Sequence, residues 1–411
     1  MRMIRPEIVR CQFHGKTFYV DRTNGVTPVS LKCHPVNGER RLCVDEDGSE
    51  DCFFLFVTDR CNLACPFCFE TEKSGFSESA EPWYSVEQLV EFFRDTSVKK
   101  AQIWFFGGEP LLGDDWIVSC IEGLESAGIN CSYTIATNLT LLKESMRAYS
   151  RNRAIRYLVN LDACLCVPSA GKYLDDVLDN VSRLSRDGIE VMGMSVWSPN
   201  CKVSIHQMME AFVSRGMRYF DVNIAHCFKY SEEDVREFAA QLETFADWYI
   251  SNILGHDLRY AWVQPFSKYI RSLLFPEEPL HQVACGAGKQ LAAIATDGTL
   301  YPCQVLVGRE GCSSGSVLQK RWDRPYEGIN DDTVPACAAC DLKYSCKGRC
   351  VANNVIMEGS ACEPEASRCQ MEHVVFACSA YVVGELQNHP VELAVLRKAF
   401  SYGRGAEVSA H

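Results

Sequence analysis

The chain has 411 residues, 47% of them hydrophobic, enough to bury one large core and a second smaller one, which predicts a globular protein of at least two units. Its 41 Lys and Arg against 53 Asp and Glu leave a net charge of -12, which repels phosphate backbones and excludes nucleic acid as the main partner. No run reaches the ~18 apolar residues of a membrane span, and "MRMIRPEIVR" has no apolar stretch behind it, so the reading is a cytoplasmic protein without membrane contact.

In chain order, residues 1–50 form an N-terminal extension in which "GKTFYVDRTNGV" predicts a β-hairpin with an Asn-Gly turn. From 51 to 250, six apolar runs alternate with segments of helical period. The runs are "CFFLFVT" (52–58), "AQIWFF" (101–106), "CSYTIA" (131–136), "IRYLVNL" (155–161), "IEVMGMSV" (189–196) and "YFDVNIA" (219–225). Ser85 with Gln88 has the pattern of a capping box, and Leu174, Val177, Leu178, Val181 and Leu184 recur at helical spacing. Gly128, Gly188 and Gly216 stop three of the helices before the next strand. A βα unit repeated in this way, with near-continuous apolar strands, predicts an α/β fold: a parallel sheet covered by helices, with ligands at the strands' C-terminal ends. Residues 251–284 read as a linker. Residues 285–378, rich in Cys and Gly and poor in apolar periodicity, read as a separate metal-organised unit, and 379–411 as a tail with a helix around "VELAVLRKAF".

Cysteine is the outlier, with 23 residues in a chain too long to need disulfides. Ten fall into spacing patterns. Most of the others, among them Cys166, Cys201, Cys227 and Cys312, read as small buried hydrophobes.

The first pattern is "CNLACPFC", Cys61, Cys65 and Cys68, directly after the first apolar run. Chance supplies roughly 0.07 matches to such a three-Cys spacing at this cysteine content, so position must add to the argument. The position is the mouth of the sheet. A structural zinc site takes four protein ligands, whereas three thiolates on a four-iron cubane leave one iron open to a small molecule. The motif resembles the cluster motif of the radical S-adenosylmethionine (SAM) enzymes, whose partial six-stranded β/α barrel matches the six runs. By that resemblance Cys61, Cys65 and Cys68 hold a 4Fe-4S cluster, the open iron chelates the amino and carboxylate groups of SAM, and Phe67 lies against the adenine. "FFGGEP" matches the family's glycine-rich motif: Gly107 and Gly108 let backbone carbonyls approach the ligand's ammonium, and Glu109 adds negative charge nearby. "TIATNLTLL" and "VNLDA" resemble the segments that contact ribose and the methionine moiety, which carries over Asn138, Asn160 and Asp162. "CLCVPSAGKYLDDV" is short beside the family's usual fourth connection.

The second pattern runs Cys285, Cys303, Cys337, Cys340, Cys346, Cys350, Cys369. Its central four-Cys block has a chance expectation of roughly 0.004, which makes the signal strong. Paired zinc ribbons would share such spacing. Beside the first cluster it resembles the C-terminal SPASM domain, which binds two auxiliary clusters in radical SAM enzymes that modify peptides. That implies three 4Fe-4S clusters in all: Cys337, Cys340, Cys346 and Cys369 hold the outer auxiliary one, and Cys285, Cys303 and Cys350 the inner. Pro279 stands where the sulfatase-maturing branch has a further cysteine, and Gln304 where it has an Asp base; both count against formylglycine formation. The inner cluster keeps an open iron for a substrate thiolate, or takes a fourth ligand from Cys312, His281 or Cys227.

The resemblance implies a radical SAM peptide maturase that takes hydrogen from a ribosomally synthesised precursor peptide and forms a thioether or carbon-carbon crosslink. Flavodoxin or ferredoxin would supply electrons, and the short N-terminal extension suggests a separate leader-binding protein. The alternatives are maturation of a redox cofactor or protein quinone by the same chemistry, and a non-catalytic zinc-binding interaction protein.

Overall fold

Strands apolar on both faces have no side to turn to water, so they must be covered twice. A computed structural model shows this arrangement; it describes residues 8–13, 16–21, 25–27, 51–72, 81–167, 170–201, 203–215, 217, 219–255, 263, 265–275, 286–329, 333–343, 346 and 350–401. A first, antiparallel sheet contains β1 (Ile8–Phe13), β2 (Lys16–Asp21) and β3 (Gly25–Thr27), with Asp21 opposite Gly25. Asn24 of the expected turn lies outside the described residues.

The six apolar runs become β4 (Asp51–Thr58), β5 (Lys100–Gly107), β6 (Asn130–Thr137), β7 (Ile155–Asn160), β8 (Val191–Trp197) and β9 (Tyr219–Ile224). They are parallel and adjacent in chain order, with Phe54 level with Trp104, Trp104 with Thr134, and Thr134 with Arg156. The expected partial β/α barrel is borne out. Around it lie α1 (Val86–Asp95), α2 (Asp114–Ser126), α3 (Glu144–Arg151), α4 (Asp162–Cys166), α5 (Leu174–Arg186), α6 (Ile205–Val213) and α7 (Glu232–Leu254). The capping box at α1 is made in both directions: Ser85 Oγ accepts from Gln88 N (3.3 Å), and Gln88 Oε1 from Ser85 N (2.8 Å). Val177, Leu178, Val181 and Leu184 form the buried face of α5. Gly128 and Gly188 take left-handed φ of 73° and 75° at helix ends, a conformation glycine adopts without steric cost. Gly216 lies outside the described residues.

Strand periodicity sorts two cores. Phe53, Leu55, Val57, Ile103, Phe105, Ile135, Tyr157 and Val159 face the helices in the main core. Phe54, Phe56, Trp104, Phe106, Leu158 and Met192 alternate with them and line the inside of the barrel.

The C-terminal part adds strands to the barrel's sheet. Beyond α8 (Phe266–Leu274), β10 (Leu291–Ile294) pairs in parallel with β4, from Leu291 beside Cys52 to Ile294 beside Leu55. β11 (Thr299–Tyr301), β12 (Gly315–Ser316) and β13 (Arg321–Trp322) follow antiparallel, so the described residues form one ten-stranded sheet. α9 (Pro335–Ala338), α10 (Val351–Glu358), α11 (Ala366–Leu386) and α12 (Pro390–Ser401) complete the chain. The strands of the cysteine-rich region continue the barrel's sheet, and α11 passes through the expected boundary at 378 with Met371, Val375, Phe376 and Val382 buried in the barrel's own core. Two- to four-residue strands carry too little periodicity to read, and α11 buries apolar residues all round, so no amphipathic signal marks it. The expected linker also holds α8, whose Phe266, Tyr269 and Ile270 are buried.

Candidate metal and SAM site

The loop "CNLACPFC" leaves the C-terminal end of β4 and is rooted by backbone contacts to the end of β5. Gly108 N donates to Thr58 O and Glu109 N to Arg60 O, both at 2.8 Å. A Cβ on Gly108 would stand 2.1 Å from Arg60 O, and one on Gly107 (φ +127°) 2.2 Å from Thr58 O. These glycines are thus required by the close approach of two strand ends, whereas the sequence reading assigned them to the ligand's ammonium.

Glu109 is 1% exposed. Its carboxylate accepts from Leu111 N (3.0 Å), Thr137 Oγ1 (2.6 Å) and Asn138 N (2.9 Å), tying β5 to the end of β6. Burial pushes its pKa up and these hydrogen bonds pull it back. Asn138 Nδ2 donates to Asn62 Oδ1 (3.0 Å), and Thr140 Oγ1 bridges the two, accepting from Asn62 Nδ2 (2.8 Å) and donating to Asn138 Oδ1 (2.6 Å). Asn138 thereby holds the cysteine loop itself. Asn62, Thr137 and Thr140 were not singled out in the sequence; only the motif positions beside them pointed here.

Within the loop the Cys65 thiol is crowded by its neighbours: burial first, then Cys68 and Cys61, push its pKa up to about 12, with Asp162 adding to the rise. Cys61 is exposed and Cys65 and Cys68 are half-buried; crowded thiols resist becoming thiolates, and a cationic metal centre offsets that cost, so the three fit an iron-sulfur cluster. Phe67 is buried. At the end of β7, Asn160 Oδ1 accepts from Ala163 N (3.4 Å). The Asp162 carboxylate accepts from Ser195 Oγ (2.9 Å) and from Val196 N, so it fastens β7 to β8; burial lifts it to about 7 against those bonds. Just beyond, Cys166 and Cys201 form a disulfide with Cα atoms 5.4 Å apart. They were read as separate buried hydrophobes; adjacent parallel strands bring the segments after β7 and β8 together, which spacing in sequence does not show.

Phe69, next to Cys68, stacks on Phe106 (centroids 6.2 Å, 10° between planes) and meets His226 edge-on (6.4 Å, 79°). It links the barrel mouth to the second cysteine array. There, Cys337, Cys340, Cys346 and Cys369 ring a pocket together with Glu365, Arg368 and His373. Among the described residues no three His, Cys, Asp or Glu side chains converge as a single bound ion requires. Thiols spread around a pocket instead suit a larger multi-iron centre. Burial, then Cys346, Cys337 and Cys340, raise Cys369 to about 12, while His373 holds Cys340 below the usual thiol range. α11, which carries Cys369, is strapped to the barrel: Arg368 Nη1 donates to Ile224 O (2.9 Å) and Ala225 O (3.3 Å).

Cys303 and Cys350 meet in a second small group beside Phe69, which Cys227 and Cys312 join. Burial raises the Cys350 thiol, but His226 and Arg368 outweigh it and bring it to about 7; His226 Nδ1 lies 3.6 Å from Cys350 Sγ. His226 and His373 carried no sequence signal. Cys285 and His281 lie outside the described residues, so the structure brings together two of the three expected inner ligands and all four outer ones.

Residues 55–212 match the family model "Radical SAM superfamily". A GTP 3',8-cyclase of Listeria welshimeri is 30% identical over 149 residues, 34% of this chain and 44% of that protein, so the chain spans less than half of this relative's length. A 7-carboxy-7-deazaguanine synthase of Hyperthermus butylicus is 41% identical over 69 residues, 17% of this chain and 28% of that protein. Among solved structures, anSMEcpe with bound AdoMet superposes at a TM-score of 0.65 with 16% identity, over 85% of this chain and 98% of that one. SuiB of Streptococcus suis bound to its precursor peptide SuiA superposes at 0.55 with 16% identity, over 90% of this chain and all of that one. The fold is shared far beyond the matched segment, into the cysteine-rich part.

Proposed function

We propose that this chain, in which residues 55–212 form a radical SAM domain, is a peptide maturase that joins two positions of a ribosomally made precursor through a thioether or carbon-carbon bond. The observation that carries the reading is the joining of two cysteine sites by one sheet: the Cys61, Cys65 and Cys68 loop at the end of β4, and the Cys337, Cys340, Cys346 and Cys369 pocket on a region whose β10 pairs with that same strand. The shared fold with SuiB, solved with a precursor peptide, supports the substrate class.

When bound, the first cluster and SAM supply a one-electron cleavage that gives methionine and a 5'-deoxyadenosyl radical, which takes a hydrogen atom from the substrate. The chain's residues position that chemistry. Cys61, Cys65 and Cys68 hold the cluster, and the Glu109, Asn138 and Asn62 network fixes their loop before any ligand arrives. Phe67, Gly107, Gly108, Asn138, Asn160 and Asp162 stand where strand ends meet, the place from which SAM would be gripped. Phe54, Phe56, Trp104 and Phe106 give the barrel an aromatic wall that keeps water from the reacting carbon. Cys337, Cys340, Cys346 and Cys369 would hold an outer auxiliary cluster and Cys285, Cys303 and Cys350 an inner one, groups that would supply one-electron acceptors beside the barrel. A flavodoxin or ferredoxin would reduce the first cluster, and a separate protein would present the leader.

The test is anaerobic incubation of the iron-loaded chain with SAM, a reductant and a candidate precursor peptide. The expected result is 5'-deoxyadenosine together with a peptide lighter by two hydrogens per modification. Zinc in place of iron at the cysteine loop, or SAM left intact under reductant, overturns the reading.

A further inference from the structure

We propose that Cys227 supplies the fourth thiolate of the inner auxiliary cluster, so that the segment leaving the barrel's last strand, β9, closes that cluster. The inference rests on the reading above that the C-terminal array holds iron-sulfur clusters. Three observations carry it.

The first is placement. Cys227 packs into the same small group as Cys303 and Cys350, two of the array's own inner positions, although it stands 58 residues before Cys285 in the chain. The second is how it is held. Cys227 has a left-handed backbone (φ 65°), a conformation a residue with a Cβ keeps only where its surroundings fix it. Its N–H donates to Asn353 Oδ1 (3.1 Å), and Asn353 N in turn donates to Cys350 Sγ (3.4 Å), so one residue of α10 ties the Cys227 backbone to the Cys350 thiol. Arg309 Nη2 lies 3.9 Å from Cys227 Sγ, placing a cation where a thiolate would stand. The third is an unfilled demand. Asn353 is 1% exposed, yet its Nδ2 has no hydrogen-bond partner. A buried N–H without an acceptor costs more than an ordinary hydrogen bond contributes, and the sulfurs of a cluster beside Cys350 are acceptors of the right kind.

Cys312 belongs to the same group, but its own N–H closes a local turn on Arg309 O (3.2 Å). It has no comparable tie to Cys350 through Asn353. With Cys227 as a ligand, every iron of the inner cluster is held by protein. Such a cluster passes electrons and does not take a substrate thiol.

The experiment uses the full chain with Cys61, Cys65 and Cys68 replaced by Ala, which leaves only the auxiliary clusters, reconstituted with iron and sulfide and then oxidised mildly with ferricyanide. A cluster with an open iron releases it and gives the EPR signal of a three-iron cluster; a closed one does not. The parent and Cys312→Ala are expected to show no such signal. Cys227→Ala is expected to show one equivalent of it per chain, or to lose the inner cluster and with it half of the auxiliary iron, with Cys227→Ser retaining more iron than Cys227→Ala. A three-iron signal already in the parent, an effect of Cys312→Ala in place of Cys227→Ala, or no effect of either overturns the assignment. A parent without iron overturns the cluster reading itself.

Discussion

The two cysteine regions are held in different ways. At the barrel mouth the thiol loop is fixed by groups that need no metal: Glu109, Asn138, Asn62 and the backbone of Gly108 tie it to the ends of three parallel strands. In the C-terminal region, Cys337 lies in the four-residue α9, and Cys340 and Cys346 lie outside helices and strands. Among the described residues the backbone ties there are local, such as Lys343 N to Cys340 O (3.1 Å) and Cys346 N to Leu342 O (2.8 Å), and the thiols ring a pocket that a metal centre would draw together. A sheet can present a reactive site ready-made; a stretch of turns acquires its order from what it binds.

The sharpest way to break this comparison is to remove one ligand from each region. Cys68→Ala is expected to reduce SAM cleavage to background, because the first cluster is lost. Cys369→Ala is expected to leave SAM cleavage measurable while abolishing the modified peptide, read by chromatography of 5'-deoxyadenosine beside peptide mass. Equal loss of SAM cleavage in both variants would show that the regions work as one. Next in size is iron removal by an anaerobic chelator. Amides of residues 333–343 are expected to lose protection from hydrogen exchange, while those of β4, β5 and β6 keep it.

The same contrast governs what the sequence reveals. The barrel strands are legible because runs such as "CFFLFV" are apolar throughout and end at polar residues, and Val177 to Leu184 repeat at helical period. The cysteine patterns are visible in the sequence through their spacing and, for the first, its place after a strand. The contacts that serve them are not: Asn62 and Asn138 meet across 76 residues, and Cys166 and Cys201 pair only because β7 and β8 are neighbours. The packing of Gly108 against Arg60 O is hidden for the same reason, since sequence shows that a glycine is needed but not which backbone approaches it. β10 to β13 escape notice because strands this short show no period, and joining them to β4 is a matter of tertiary pairing.

Within the barrel mouth, substitutions should rank by how rigid the disturbed neighbour is. Gly108→Ala places a Cβ against Arg60 O, a backbone atom that cannot swing away, and is expected to cost ~3 kcal/mol or more in urea unfolding. Glu109→Gln keeps the shape but turns an amide N–H toward a donor, either Asn138 N or the Thr137 and Leu111 pair. It is expected to cost ~1–3 kcal/mol, the range for a buried group left unsatisfied. A smaller effect from Gly108→Ala than from Glu109→Gln would mean that the strand ends can separate, against the view of a preformed site.

The smallest effect should lie where the two regions touch across solvent. Lys320, between β12 and β13, places Nζ 3.0 Å from both Glu91 Oε2 and Asp95 Oδ2 on α1, fastening the sheet extension to the barrel's first helix. All three side chains are well exposed, so water and salt screen the pairs, and Lys320→Ala is expected to cost less than ~1 kcal/mol. That loss should shrink further in high salt. A larger, salt-insensitive loss would mean that the extension depends on this clamp, whereas the parallel pairing of β10 with β4 and the burial of α11 already fix it in place.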